Sequence, residues 1–520
     1  MKKNESLISG SIGPALLAFV VPLMLSSLVQ QLYVTADAVI VGRIAGKSAL
    51  AAIDSVHTLF RFPINFMNGL AAGATILISR HFGAENRDGL RSCMLSAVAL
   101  AALLGILCAV GGVLLTPRLL QLMQVPEEIY GQTLGYTRIY FGGLWAMILY
   151  NMASGVLRAF GNSKSPLYIL LVSSLINIVG DLLLVGALDL GTEGAAIATV
   201  FAQTVSAAVA VWMVWKILPN RQGLRQPRRW LEHLWDMVRL GIPLALQSVL
   251  FPVANSIVQA AVNTMGTDTI AAWGICDKLD MLIWLLADSM GPALTTYTAQ
   301  NIGAGRWDRV CAGNRIGAAM SGAAVAAVSL GLYFLTAPLG GLFVPATDAP
   351  AVVPLAVAFM RRMAPFFFFY ALAESFSGAC CGTGDTVRPM LLTLLTICLL
   401  RVLGILLLLP RQHTMECIID IYIASWLAAG IGFLMLWQWE KKESKGRKQG
   451  PLKPGTGGVW LPLAVKKEAL SNHLTYKTGR PHTSGSACFI GGWLLSVCDI
   501  FQKERLPRMV LKNHFETAPL

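Results

Sequence analysis

Asp181 is the side chain best placed to do chemistry in this 520-residue sequence. It stands in Ser173-Ser174-Leu175-Ile176-Asn177-Ile178-Val179-Gly180-Asp181-Leu182, deep in an otherwise apolar segment. Asn177 precedes it by four residues, so in a helix the amide and the carboxylate share one face. A carboxylate, an amide carbonyl and nearby hydroxyls form an oxygen cage for a small hard cation, and the same carboxylate can carry a proton instead. An Asn–Asp pair can also do no more than stitch two helices together by hydrogen bonds. Gly180 thins the helix there and lets a neighbour or an ion approach. Asp37 is the second candidate, preceded by eleven residues, Ser26 to Ala36, without a charge; Arg43 follows six residues later, so a position among lipid headgroups is the competing reading. Ionisable groups inside spanning helices are costly, which makes both acids functional candidates.

Further charges lie in the second half. Asp277, Lys278 and Asp280 occur together, Asp288 follows, and Glu374 sits just after the run Phe366-Phe367-Phe368-Phe369-Tyr370. Lys278 and Asp280 either pair near a helix start or face a cavity. An acid beside aromatic rings suits amphipathic cations, although five aromatics in a row fit a lipid-facing belt equally well. Asn151, Gln259, Asp280 and Glu374 are the candidate residues of a substrate cavity. No phosphate-binding Gly-x-x-x-x-Gly-Lys-Ser/Thr loop, nucleophile elbow or His-Glu-x-x-His pair occurs, so neither enzymatic activity nor a resident cofactor is expected. The ten cysteines and seven histidines are scattered without metal-ligand spacing; Cys93 and its like read as small buried apolar side chains, and His57 as a packed or pore-lining residue.

Positioning such acids requires a membrane fold. The composition is 55% hydrophobic and 13% charged, with a mean hydropathy of +0.61. A soluble chain carries about 25% charged residues, so lipid is the expected solvent. Twelve apolar runs approach or exceed the ~20 residues a spanning helix needs. Six fall near 12–40, 50–79, 92–116, 129–157, 166–187 and 193–217, and six near 237–265, 270–299, 312–337, 352–381, 387–409 and 416–439. The second six echo the first. Pro22 and Pro243 are 221 residues apart, and Gly46/Gly266, Thr75/Thr295, Gly83/Gly303 and Asp88/Asp308 are each 220 apart. Gly161-Asn162-Ser163 near the end of one half is echoed by Gly384-Asp385-Thr386 in the other, 223 residues on. That last step pairs Asn151 with Glu374 but puts Leu400 and Gly404 opposite Asn177 and Asp181, so the polar site has no counterpart in the second half.

The expectation is an all-α integral membrane protein with twelve transmembrane helices in two six-helix lobes, related by a pseudo-two-fold parallel repeat: residues 1–220 and 237–440, joined by a linker at 221–236. Basic residues concentrate in alternate loops (Arg80, Arg87, Arg91; Arg158, Lys164; Lys216, Arg228, Arg229; Arg306, Arg309, Arg315), which puts both termini in the cytoplasm of a multi-pass inner-membrane protein. The net charge of +13 is explained by these loops and by the tail, and nucleic-acid binding is not expected. Residues 441–520 begin with a basic run rich in Lys, continue with Pro and Gly, and are expected to be a disordered cytoplasmic tail. The run starting at Ile12 is too long for a signal-peptide core and reads as the first spanning helix.

Several short runs together resemble the multidrug and toxic compound extrusion (MATE) family. They are Pro22 through Gln30-Gln31-Leu32-Tyr33 to Asp37-Ala38-Val39-Ile40-Val41-Gly42, then Ala49-Leu50-Ala51-Ala52, Gly73-Ala74-Thr75, Phe82-Gly83-Ala84 and Asn301-Ile302-Gly303-Ala304-Gly305. The resemblance covers about residues 8–440 and leaves out the tail. It implies a V-shaped central cavity and export of drugs driven by Na⁺ or H⁺. In the DinF-like branch it also implies a first-lobe cation site, whose residues fall here on Asp37, Asn177, Asp181 and Thr199. The implied partners are a small-molecule substrate and the bilayer, with the chain a monomer. Two rivals remain: a lipid-linked saccharide flippase of the same superfamily, for which basic cavity residues would be expected, and a membrane sensor or structural protein acting through its tail.

Overall fold

The computed structural model describes residues 7–219 and 227–446. The expectations for the tail beyond Gly446 and for the first part of the linker lie outside the described residues. Within them the chain forms twelve helical rods: α1 (Ile12–Ile44), α2 (Lys47–Gly83), α3 (Arg87–Leu122), α4 (Glu127–Ala159), α5 (Lys164–Ala187), α6 (Gly191–Ile217), α7 (Pro227–Val262), α8 (Thr267–Gly303), α9 (Trp307–Gly340), α10 (Ala349–Thr383), α11 (Val387–Leu408) and α12 (Met415–Gly446). Most of them overrun the expected apolar segments at one end or both, and α7 starts inside the stretch expected to be the linker. Helices continue until a turn residue stops them, whereas the apolar run ends at the edge of the hydrocarbon.

Eleven of these rods are long and apolar enough to cross a membrane. The exception, α8, has the length but carries Asp277, Lys278, Asp280 and Asp288 along it. Its place among the others makes it the twelfth span.

The packing repeats along with the sequence. In the first six helices α4 is the hub, packed on α2, α3 and α6, while α1 pairs with α5 and α5 with α6. In the second six α10 packs on α8, α9 and α12, while α7 pairs with α11 and α11 with α12. The repeated glycines are the ones whose backbones demand them. Gly46 and Gly266 enter the second helix of each lobe at φ 87° and 91°, and Gly161 and Gly384 end the fourth at φ 78° and 89°. This is a region L-residues with a Cβ rarely occupy.

The lobes meet where α2 and α8 end. A Cβ on Gly83 would collide with the Gln300 carbonyl, and one on Gly303 with the Arg80 carbonyl. The two contacts are related by the 220-residue step, so the pseudo-two-fold axis passes between them. Gly73 against Gly241, and Gly69 against Ala245, continue this backbone-to-backbone seam along α2 and α7. Polar bonds reinforce the same face: Gln300 Nε2 donates to the Ala159 carbonyl (2.7 Å), Asn301 Nδ2 to the Leu7 carbonyl (3.2 Å), and Arg80 to the Thr383 carbonyl. Away from this face the apolar cores part. The second lobe has its own cluster around Ile283, Phe367, Ile418 and Trp426, separate from the cluster around Val56, Phe60 and Leu144, which takes in second-lobe residues only at Met237, Leu240 and Ala245 of α7 and at Ala299 and Cys381 near the ends of α8 and α10.

Candidate functional site

Three helices of the first lobe converge on one polar pocket. α5 contributes Asn177 and Asp181, both fully buried, and α6 contributes Thr199, which is 8% exposed. Asp37 comes from the last third of α1, with Oδ1 buried. Gly180 makes this possible in the way the sequence suggested: an added Cβ would sit 3.0 Å from that of Ala198, so α6 packs directly on α5. With its amide oriented by its neighbours, Asn177 donates to Asp181 Oδ2 at 2.9 Å and accepts from the Thr199 hydroxyl and backbone N–H at 3.2 Å each. The Asp37 and Asp181 carboxyls lie within hydrogen-bonding reach of each other. Each retains one buried oxygen, Asp37 Oδ1 and Asp181 Oδ1, without a hydrogen-bond partner among the described residues.

The arrangement leaves two buried carboxylate oxygens that the helix-to-helix hydrogen bonds do not satisfy. Two neighbouring carboxylates repel when both are charged, and a buried acceptor left unmade is expensive. One proton shared between them, or one monovalent cation among Asp37, Asp181, the Asn177 carbonyl and the Thr199 hydroxyl, removes both problems. A dedicated metal cofactor site would offer more charge and a closed shell of ligands. These four oxygens come from three separate helices, α1, α5 and α6.

Sequence reading missed the aromatic surround of this pocket. Tyr33, one turn before Asp37, is within hydrogen-bonding reach of Thr199. Tyr136 and Tyr140, one turn apart on α4, lie near Asp37 and stack at 5.8 Å, with Phe60 4.1 Å from the Tyr140 ring. The i,i+4 tyrosines were visible in the sequence, but nothing there tied α4 to α1.

The four candidate cavity residues do not form one cluster. Asn151 is half-buried on α4, and Gln259 is exposed on α7, where its amide donates to Asn263 Oδ1 at 2.9 Å. Asp280 and Glu374 belong to a network inside the second lobe. Trp284 Nε1 donates to Asp280 Oδ1 (2.9 Å), so the partner of Asp280 is Trp284 and not Lys278, which is exposed. The Trp284 ring meets Tyr370 edge-on at 4.5 Å, and the Tyr370 hydroxyl donates to Asp288 Oδ1 (2.7 Å), beside Glu374. The aromatic run divides: Phe367 and Tyr370 enter the core while Phe368 is exposed.

Arg401 is a charged residue inside a spanning helix that the sequence reading passed over. It is 1% exposed on α11, donating from Nε to Ser425 Oγ and from Nη1 to Asn255 Oδ1, each at 2.9 Å, with Tyr422 stacked 4.0 Å from its guanidinium. It ties α7, α11 and α12 together inside the second lobe and stands next to Leu400, the position that answers Asn177 in the repeat.

Comparison with known proteins covers both halves. The MatE family model matches residues 22–183 and again 243–407, each match beginning at the repeated proline. The "Probable multidrug resistance protein YoeA" of Bacillus subtilis is 34% identical over 307 residues, 58% of this chain and 66% of that protein, so the chain spans slightly under two thirds of that relative. The "Probable multidrug resistance protein NorM" of Thermotoga maritima is 24% identical over 392 residues, 74% of this chain and 82% of that protein. Among solved structures, one described as "Crystal structure of MATE in complex with MaL6" superposes with a TM-score of 0.78 at 20% identity, covering 86% of this chain and all of that one.

Proposed function

The chain belongs to the MatE family, a family of membrane transporters, and from that premise we propose that it is a cation-coupled antiporter exporting amphipathic, often cationic compounds. The observation that carries the proposal is the contact between Asp37 and Asp181, each with a buried unpaired oxygen, beside Asn177 and Thr199. The coupling ion, Na⁺ or H⁺, is a co-substrate of this site. A cation bridging the acids holds α1 against α5 and α6; its departure leaves two carboxylates in contact, and α1 moves. An ion drives a conformational change only through different affinities for the two arrangements, and a site assembled from three helices provides that difference.

The transport unit comprises residues 1–220 and, from the start of α7 at Pro227, the second six helices to residue 440, so the expected linker at 221–236 shortens to its part before α7, and 441–520 lie outside the unit. The basic loops assign the closed face, where α2 and α8 end, to the cytoplasm, so the parted cores open outward. Asp280 and Glu374, with the aromatic network between them, and Asn151 and Gln259 are assigned to the substrate path. A lipid-linked saccharide flippase is less favoured, because Arg401 is held inside the second lobe by Asn255, Ser425 and Tyr422 and offers little charge to a cavity.

The test is dye efflux from proteoliposomes under separate Na⁺ and pH gradients. One gradient alone should drive wild-type efflux, and Asp181→Asn, folded and reconstituted equally, should show none. Gradient-driven efflux by that variant at the wild-type rate would refute the reading.

A further inference from the structure

At the face where the lobes close, three side chains far apart in sequence come together. His81 lies in the last turn of α2, Cys93 near the start of α3 and His233 near the start of α7. One ligand atom from each lies within 4.8 Å of the others. The two imidazoles meet edge-on with ring centres 5.2 Å apart, and the Cys93 thiol is completely buried. His81 Nδ1 is buried with no hydrogen-bond partner among the described residues. A Cβ on Gly89 would collide with that same atom, so α3 carries glycine where the imidazole is seated. Asp236, one helical turn after His233, lies close enough to act electrostatically on Cys93. The neighbouring cation, Arg80, is directed at the Thr383 carbonyl.

We propose that His81, Cys93 and His233 form a binding site for Zn²⁺ or a similar borderline-soft divalent ion, with Asp236 or water as fourth ligand. Two imidazoles and a thiolate are the donor set that selects zinc over the harder alkali and alkaline-earth ions. Tetrahedral bonds of about 2.0–2.3 Å put ligand atoms about 3.5 Å apart, so small side-chain rotations close the site from its present spread. The deprotonated thiol is supplied by the metal, which displaces its proton on binding.

The site joins the lobes. His81 and Cys93 belong to the first six helices and His233 to the second, and α7 packs there on both α2 and α3. A bound ion therefore favours the arrangement in which this face is closed, by its differential affinity for that state. Zn²⁺ on this side becomes an inhibitor of the transport cycle, a consequence that rests on the antiport reading; metal binding itself does not.

The experiment uses Co²⁺ as the probe on the purified full-length protein. Expected are visible ligand-field bands of tetrahedral intensity together with a thiolate-to-cobalt charge-transfer band, both displaced by Zn²⁺. Cys93→Ser should remove the charge-transfer band, and His81→Gln or His233→Gln should weaken Co²⁺ binding by about a hundredfold or more, beyond the 10–100-fold typical of outer-shell changes. The two histidine variants keep the test decisive should the buried cysteine variant fold poorly. A cobalt spectrum without the charge-transfer band, or one unchanged in the histidine variants, overturns the site. Inhibition of wild-type efflux by Zn²⁺, relieved in His233→Gln, supports the bias towards the closed arrangement; a tight site whose occupation leaves efflux unchanged overturns that consequence alone.

Discussion

Gly83→Ala adds one methyl group where the lobes touch, and its effect can be worked from the seam. The new Cβ falls on the carbonyl oxygen of Gln300, and the symmetric change at Gly303 falls on that of Arg80. Carbon and carbonyl oxygen rest about 3.3–3.6 Å apart, so the two helix ends must withdraw by about an ångström or more. Both atoms met are backbone, and no side chain can swing aside. Overpacking of this kind costs about 1–3 kcal/mol. The cost is borne only while the face is closed, so the balance between closed and open arrangements shifts by about 5- to 150-fold. Spin labels at Asp88 and Asp308, an exposed pair related by the repeat at this face, report the separation by pulsed electron resonance in a chain freed of other accessible thiols. The short-distance population should fall in Gly83→Ala, and less than additively further in Gly83→Ala/Gly303→Ala, since both changes crowd one seam. Gly111→Ala is the control, because nothing lies within 4 Å of its Cβ. An unchanged distance distribution in a monodisperse Gly83→Ala protein would refute the claim that these glycines permit closure.

Two other outcomes follow from the polar groups. Thr199→Val keeps the shape of the cation pocket but removes a hydroxyl ligand to the ion and a hydrogen bond of about 0.5–1.5 kcal/mol. Ion-dependent thermal stabilisation, measured in Na⁺ against choline or across pH, should then need up to about tenfold more ion; an unaltered ion dependence would remove Thr199 from the site. Arg401→Met leaves Asn255 and Ser425 each without its guanidinium partner. At about 1–3 kcal/mol for each unmade buried bond, it should lower the unfolding midpoint of the purified protein clearly, and an unchanged midpoint would show that the second lobe does not rely on that network.

Much of this protein was legible before any coordinates. Apolar run length sets the number of spans because the hydrocarbon sets the length. The repeat survives most visibly at glycines such as Gly46/Gly266 and Gly83/Gly303, because a positive φ or a backbone-to-backbone approach tolerates few alternatives. Asn177 and Asp181 were legible as a polar pair because a carboxylate among apolar residues is costly, and their four-residue spacing fixes a shared face. Local pattern reaches only as far as one helix. That Asp37 lies beside Asp181, that Arg401 lies buried against Asn255, and that His81, Cys93 and His233 face one another were decided by which helices pack together. Those contacts span from about a dozen to about 150 residues of sequence, beyond the three- or four-residue reach within which helical periodicity carries information.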